Sequence, residues 1–139
     1  MTYSILVADD DKGVRKSHLL AIKQVAKSLK AQIETVEAED SVKTRELIGD
    51  KKFDLIILDN DFKDEEVKGR LPGIAILQMA RRNGPNADTS IIFCSGEVYE
   101  TLRPMAEKFR AVYLAKANYN LEAFTNMLIE ILKDAKKLQ

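Results

Sequence analysis

The chain has 139 residues, enough for one compact domain with its own hydrophobic core and too few for a second. Its 22 basic residues balance its 22 acidic residues, so no overall charge attracts it to nucleic acid or to an anionic membrane. The single cysteine, Cys94, excludes an intrachain disulfide, and no apolar run approaches the length of a membrane span. We therefore expect a soluble cytoplasmic protein that neither enters a membrane nor binds nucleic acid directly.

The first half of the chain predicts three strands and two helices. In order, these are a strand at 3–8, a helix capped by Asp11 that runs to about residue 30, a strand at 33–37, a helix from Asp40 or Ser41 to Gly49, and a strand at 55–58. The third strand has four apolar residues in a row, which is typical of a strand buried on both faces of a parallel sheet. It ends at Asp59, and ligands of open α/β sheets collect where strands end. His18, on the apolar stripe of the first helix, is predicted to be a packed or interface residue rather than a phosphate carrier or ligand.

The second half continues the alternation. In order, it predicts a charged loop at 63–71, a helix from Pro72-Gly73 to Gly84-Pro85, a strand at 90–94 followed by Ser95-Gly96, a helix from near Leu102, a strand at 111–115 ending at Lys116, and a helix at 121–138. Pro104 fits only the first turn of the fourth helix, which leaves 97–101 as a loop. Cys94 is expected to be a small buried core residue. Five strands alternating with five helices predict a doubly wound α/β fold around a five-stranded parallel sheet.

Polar side chains follow the ends of four predicted strands. They are Asp9, Asp10, Asp59, Ser95 and Lys116. Because parallel strands end at one edge of a sheet, we expect these side chains to converge. Two like charges about 4 Å apart cost on the order of 4 kcal/mol at an effective dielectric constant of 20, so three ionised carboxylates favour a bound cation. Oxygen ligands without sulfur or imidazole suit Mg²⁺. Lys116 and Ser95 could contact the oxygens of a phosphoryl group, and an Asp carboxylate can accept one.

Four blocks of the sequence, at 5–10, 55–59, 91–96 and 113–116, resemble the signature blocks of the receiver domain of two-component response regulators. They occur in the family's order and spacing, and the resemblance covers essentially the whole chain. It implies a flavodoxin-like fold and phosphorylation of Asp59. It further implies the following roles: Mg²⁺ bound by Asp10, Asp59 and the backbone carbonyl of Asp61, with Asp9 helping through water; phosphoryl oxygens contacted by Ser95 and Lys116; and Tyr113 as an aromatic switch coupled to Ser95.

The resemblance also implies a function and partners. The chain, 1–139, would be a single receiver domain with no attached effector domain, and a signalling phosphoacceptor rather than an enzyme. It would promote only its own phosphorylation and dephosphorylation. The donor would be a sensor histidine kinase or a phosphotransfer protein. A downstream protein would read the face formed by the fourth helix, the fifth strand and the fifth helix, which is also the surface expected for a homodimer.

The sequence departs from the family pattern at three points. Ala117 stands where receivers usually have proline after the lysine. The connection from Asp59 to Gly73 is longer than usual, carries the acidic run 64–66, and ends in Pro-Gly rather than Asp-Gly. Asp61 is an acid at a position that is often neutral, next to the expected phosphate.

Two other functions remain open at this stage. The run Asp59-Asn60-Asp61 also resembles the Asp-x-Asp motif of haloacid-dehalogenase-type phosphatases. In those enzymes, however, the nucleophile strand comes first and the acid pair last, whereas the acid pair here is Asp9-Asp10. The third function is that of a degenerate receiver that binds partners without phosphate.

Overall fold

The computed structural model describes residues 1–62, 72–96 and 102–137, which contain five strands and five α-helices. These are β1 (Thr2–Ala8), α1 (Lys12–Leu29), β2 (Gln32–Ala38), α2 (Ser41–Asp50), β3 (Leu55–Asp59), α3 (Gly73–Arg82), β4 (Ser90–Ser95), α4 (Leu102–Lys108), β5 (Val112–Ala115) and α5 (Leu121–Lys137). A short 3-10 turn at Lys116–Asn118 joins β5 to α5. No helix in these ranges is both long enough and apolar enough to cross a membrane.

All five strands are parallel and form one sheet in the order β2-β1-β3-β4-β5. The chain first moves outward from β1 to β2, then returns to the other side of β1 and continues through β3, β4 and β5. The winding direction therefore reverses between β1 and β3, and in doubly wound folds such a switch point forms a crevice at the carboxyl ends of the strands. The doubly wound, flavodoxin-like fold predicted from the sequence is confirmed.

Helices cover both faces of the sheet, and alternate strand residues divide between two hydrophobic cores. Helices α2, α3 and α4 pack on one face, against residues that include Leu6, Ile56 and Phe93. Helices α1 and α5 pack on the other, against residues that include Ile5 and Ile57. All five residues of β3 are buried. Burial on both faces explains why this strand is a continuous apolar run rather than an alternating pattern.

Several element boundaries differ from those predicted. The prediction that Gly49 ends the second helix was wrong, because α2 continues to Asp50 and the Lys51 N–H donates to the Leu47 carbonyl. Strand β2 is one residue longer at each end than predicted, since it pairs with β1 from Gln32 to Ala38. The predicted loops at 63–71 and 97–101, and the last predicted residue of α5, lie outside the described residues.

The side chain of Asn86 connects the end of α2 to the residues that precede β3 and β4. Its side chain is 1 % exposed. Its Oδ1 accepts hydrogen bonds from the Phe53 N–H and the Thr89 hydroxyl, both at 2.9 Å. Its Nδ2 donates to the carbonyls of Ile48 and Lys51, both at 2.7 Å. One amide therefore satisfies the backbone at the end of α2 and the entrance to β3.

We expect Asn86→Ala to lower the free energy of unfolding by about 3 kcal/mol, because it leaves several buried backbone groups without partners. Urea denaturation followed by circular dichroism would measure the change. Asn83→Ala is the matched control, since Asn83 is exposed at the end of α3, and should change stability by less than about 1 kcal/mol. Equal effects of the two substitutions would contradict this role of Asn86.

Candidate functional site

The candidate site lies at the carboxyl edge of the sheet, at the switch point. Asp9 directly follows β1, Asp59 is the last residue of β3, and Lys116 directly follows β5. Asp59 is aligned with Cys94 in the adjacent strand, so Ser95 ends β4 at the same edge. Strand ends that are far apart in sequence therefore bring these side chains to one place.

Three carboxylates form a cluster at this edge. One oxygen from each of Asp9, Asp10 and Asp59 lies within 4.8 Å of the others. Asp9 and Asp59 are each 1 % exposed, whereas Asp10 is partly exposed. Asp9 Oδ1 accepts the Asp11 N–H at 2.9 Å, which fixes the turn between β1 and α1. The cluster is thus held by the backbone and opens to solvent through Asp10.

Lys116 supplies the positive charge of the site. Its Nζ lies 2.9 Å from Asp9 Oδ2 and 2.8 Å from Asp59 Oδ1. The residue after Lys116 is Ala117 and not the proline that is usual in receiver domains. Lys116 nevertheless contacts both carboxylates. Asp59 Oδ2 is also buried but receives no well-formed hydrogen bond from the described residues. One ammonium group therefore balances only part of the negative charge.

The electrostatics of the cluster follow from this burial. Burial raises the pKa of Asp59 to about 6, the charge of Asp9 adds to the rise, and Lys116 opposes it. Burial likewise raises the pKa of Asp9 against the lowering effect of Lys116. Burial alone would lower the pKa of Lys116, but its hydrogen bonds to Asp59 and Asp9 outweigh that effect and raise it. The site therefore stabilises a lysine cation and destabilises two ionised carboxylates.

Gly73 lets helix α3 begin directly against the end of β3. A Cβ at this position would lie 2.0 Å from the Asp59 carbonyl oxygen and 2.6 Å from Asn60 Cα, distances that no side chain can occupy. The Gly73 N–H donates to the Asn60 carbonyl, and Asn60 Oδ1 accepts the Ile74 N–H, both at 3.1 Å. In the sequence, Gly73 stands out only as part of a Pro-Gly pair, and no local pattern indicates its role in positioning Asp59.

Arg15 is a second residue whose role at the site has no signal in the sequence. Its Nη1 donates to the Asp9 carbonyl at 2.7 Å, and its Nε donates to Glu37 at 3.1 Å. It therefore braces the end of β1 against β2. Its spacing from the acid pair gave no signal, because the contact depends on where helix α1 packs.

Asp61 and Ser95 lie close to Asp59 in the fold: Asp61 follows β3, and Ser95 ends the adjacent strand β4. Ser95 is fully buried at the end of β4. The Asp61 carboxylate is not one of the three clustered carboxylates. Its Oδ2 accepts the Gly96 N–H at 2.9 Å, and its Oδ1 accepts Asn60 Nδ2 at 3.1 Å. The structure thus assigns the Asp61 carboxylate to the neighbouring loop, while the metal role of its backbone carbonyl stays a prediction.

Tyr113 lies in β5, away from the direct contacts of the cluster. Its ring is partly buried, with its centre 6.4 Å from that of Phe93. The guanidinium group of Arg103 lies 4.8 Å from the ring centre, a cation–π contact that links β5 to α4. The switching role predicted for Tyr113 is not tested by this geometry.

His18 and Cys94 line a cavity of about 130 Å³ beside the stem of Lys116. His18 is buried, and its ring centre lies 5.0 Å from that of Phe124, with the two rings tilted by 34°. Burial together with the charge of Lys116 lowers the pKa of His18 to about 4. Burial raises the pKa of the Cys94 thiol to about 12. Both residues belong to the core, as predicted.

Comparison with solved structures identifies the fold. The chain superposes on a CheY-like response regulator receiver domain protein from Methanospirillum hungatei JF-1 with a TM-score of 0.75 and 19 % identity over 100 % of both chains. It matches the receiver domain of Francisella response regulator 1452 with a TM-score of 0.72 and 23 % identity over 99 % of both. A signal receiver domain of a two-component histidine kinase from Clostridium thermocellum gives 0.78 and 21 % over 94 % of this chain and 98 % of the other.

The chain has the receiver fold. No family model matches its sequence, and neither does any curated protein. At identities of 19 to 23 %, the likeness to the solved structures shows the fold alone.

The residues at the switch point of this receiver fold suit a magnesium ion. The donors are carboxylate oxygens, which are the hard ligands that Mg²⁺ prefers. The cluster carries three carboxylates against one ammonium group, and Asp59 Oδ2 is a buried oxygen without a well-formed hydrogen bond from the described residues. A divalent cation would balance the remaining charge.

We expect Asp59→Asn to raise the free energy of unfolding at pH 7 by about 1–3 kcal/mol when no divalent cation is present. In the folded protein Asp59 keeps its proton up to about pH 6, whereas in the unfolded chain it loses it near 3.8. Asp59 therefore lowers stability as the pH rises through this window, and asparagine removes that loss. Urea denaturation from pH 4 to pH 7.5 measures the effect.

The difference between Asp59→Asn and the unmodified protein should disappear near pH 4 and shrink when Mg²⁺ is added. Asp88→Asn is the control, since that carboxylate is 85 % exposed in its ion pair, and it should change stability by less than about 0.5 kcal/mol. A pH-independent difference for Asp59→Asn would rule out the electrostatic explanation.

Proposed function

We propose that this chain is a receiver domain of a two-component system and that it accepts a phosphoryl group on Asp59. The observation that carries the proposal is the contact of one lysine with two buried carboxylates: Lys116 Nζ lies 2.8 Å from Asp59 and 2.9 Å from Asp9 at the switch point. A buried carboxylate next to both a lysine and further acids is an unfavourable structural choice. Such an arrangement is useful at a functional site, where the carboxylate has to accept a highly charged ligand.

The proposed reaction is a phosphoryl transfer to a carboxylate oxygen. An Asp59 oxygen forms a bond to the phosphorus of the donor, the bond from phosphorus to the donor's leaving atom breaks, and its electron pair departs with the donor. With acetyl phosphate, acetate leaves; with a phosphohistidine, the imidazole leaves, and its ring nitrogen keeps the electron pair of the broken P–N bond. Such transfers depend mainly on positioning and charge neutralisation, and the rigid end of β3 supplies the position.

Asp10, Asp59 and the Asp61 carbonyl would hold Mg²⁺, with Asp9 acting through water, as the resemblance to receivers implies. The ion would neutralise negative charge on the transferred group. Lys116 is already drawn into the site by two carboxylates, so its ammonium is available to the phosphoryl oxygens without a large movement. The buried hydroxyl of Ser95 lies at the same edge and can donate a hydrogen bond to them.

The donor would be a sensor histidine kinase or a phosphotransfer protein. The transfer would take place in the cytoplasm, the location expected from the sequence. The domain would act as a signalling acceptor and not as an enzyme that turns over a separate substrate. Its output would be read by a downstream protein, or by a second copy of the chain, on the face of α4, β5 and α5.

The described part of that face contains groups that can respond to the site. Phosphorylation would draw the Ser95 hydroxyl towards Asp59 and leave space into which the Tyr113 ring could rotate. Tyr113 contacts Arg103 of α4. On the same two elements, Met105 of α4 and Val112 of β5 are 39 % and 43 % exposed. A ring movement would therefore change an apolar, charged surface. Two discrete packings of this kind are the usual form of such a switch.

We expect intact-mass measurement after acetyl phosphate treatment with Mg²⁺ to show one added phosphoryl group that Asp59→Asn abolishes. Asp10→Asn should slow its appearance at least about 100-fold, because a metal ligand contributes several kcal/mol to charge neutralisation. Asp40→Asn is the matched control: Asp40 follows β2 at the same edge, and asparagine preserves its capping of α2. The control should react at the unmodified rate.

Two further measurements, ester hydrolysis and partner affinity, separate the other two functions. Steady hydrolysis of a generic phosphate ester in the presence of Mg²⁺ would favour a phosphatase. No added mass, together with unchanged partner affinity in Asp59→Asn, would favour a degenerate receiver. Equal rates for Asp10→Asn and Asp40→Asn would contradict the metal role.

We expect beryllium fluoride, a phosphoryl mimic, to shift the backbone NMR signals of Tyr113 and of 102–108. In Ser95→Ala the signals near Asp59 should still shift, whereas those of Tyr113 and α4 should move by less than about half as much, since one link of the switch is missing. Ser90→Ala, at the other end of β4, is the control and should behave like the unmodified protein. Shifts confined to the Asp59 loop in the unmodified protein would exclude this switch.

A further inference from the structure

The Asp61 carboxylate joins the loop after β3 to the loop after β4. Its Oδ2 accepts the Gly96 N–H at 2.9 Å, and its Oδ1 accepts the Asn60 side-chain amide at 3.1 Å. Asn60 is itself fixed, because its Oδ1 accepts the Ile74 N–H at the start of α3. The chain of contacts therefore runs from α3 through Asn60 and Asp61 to the end of β4.

This contact lies beside the phosphoacceptor site. Gly96 faces both Asp61 and Lys116: a Cβ on it would be 3.5 Å from Asp61 Oδ2 and 3.7 Å from the Cδ of Lys116. The same lysine contacts Asp59 through its Nζ. The Asp61 carboxylate therefore stands next to the lysine stem and outside the buried cluster, on the side where Gly96 is exposed.

We propose that Asp61 is an internal competitor of the phosphoryl group: its carboxylate holds the Gly96 N–H in the resting state and must release it when Asp59 is phosphorylated. This inference rests on the proposed function. A backbone N–H next to Ser95 is a suitable donor for a phosphoryl oxygen, and each backbone N–H is a single donor. An oxygen of the phosphoryl group and the Asp61 carboxylate cannot both take it at full strength.

Charge adds to this competition. A phosphoryl group on Asp59 adds negative charge two residues from the Asp61 carboxylate, and like charges repel even near the protein surface. Release of Asp61 would also remove the hydrogen bond that links Asp61, two residues after β3, to Gly96, the residue after β4. Asp61 is thus a positioning residue that sets how easily the phosphorylated state of Asp59 forms. A neutral hydrogen-bond acceptor at position 61 would hold the Gly96 N–H without repelling the phosphoryl group.

The test uses Asp61→Ala and Asp61→Asn, with Glu46→Ala as the control for loss of one exposed carboxylate far from the site. The first readout is hydrogen exchange of the Gly96 amide without metal or phosphoryl donor, which reports the hydrogen bond alone. The second is the affinity for beryllium fluoride in the presence of Mg²⁺, followed by NMR, which reports the acceptor state. The two readouts are independent of each other.

In Asp61→Ala, Gly96 should exchange about two- to tenfold faster, the equivalent of one net hydrogen bond, and the affinity for beryllium fluoride should rise about tenfold from the loss of competition and repulsion. Asp61→Asn keeps an acceptor oxygen and loses the charge, so exchange should stay within about twofold while the affinity still rises. Glu46→Ala should change neither quantity.

Unchanged Gly96 exchange in Asp61→Ala would overturn the contact. Faster exchange with unchanged affinity would overturn the competition while leaving the proposed function intact. If neither the unmodified protein nor any variant binds beryllium fluoride, the proposed function is wrong, and the competition is wrong with it. The exchange data would then still show whether the Asp61–Gly96 hydrogen bond exists.

Discussion

Everything at the candidate site depends on the placement of one ammonium group between two carboxylates that water hardly reaches. Asp9 and Asp59 are each 1 % exposed, and Lys116 lies within 3 Å of both. Burying two like charges is costly, and one cation offsets only part of that cost. The extensive apolar core on each face of the sheet stabilises the fold and offsets this cost. The unfavourable cluster is therefore localised where the proposed function needs it.

Rigid strands and shorter connections contribute differently to this arrangement. The acceptor and the lysine lie at strand ends that the parallel pairing fixes. The connections around them are held by specific contacts: Gly73 permits α3 to approach Asp59, and Arg15 braces the end of β1. Strand ends give a precise position, whereas contacts that involve exposed groups can exchange one partner for another. The Asp61–Gly96 contact belongs to this second kind.

A route from the site to the surface is visible as spatial adjacency. Ser95 ends β4, Phe93 lies two residues earlier on the face covered by α3 and α4, and its ring approaches Tyr113 of β5. Arg103 then links that ring to α4. Adjacency alone does not establish coupling, since coupling requires an element with two arrangements that the site biases differently. In the proposed switch that element is Tyr113, which is partly buried and in cation–π contact with Arg103.

The sequence by itself determined the fold class, the number and order of the elements, and the polar residues at the strand ends. These follow from local patterns: a doubly buried strand is a continuous apolar run, and residues that follow parallel strands must meet at one edge. Helix ends were less predictable, as Gly49 shows, because pairing and packing override single residues. Only the tertiary structure decided which atoms Lys116 contacts, why position 73 must be glycine, what Arg15 braces, and that Asp61 turns towards Gly96. Each of these depends on the distance between segments far apart in the chain, and no local pattern encodes that distance.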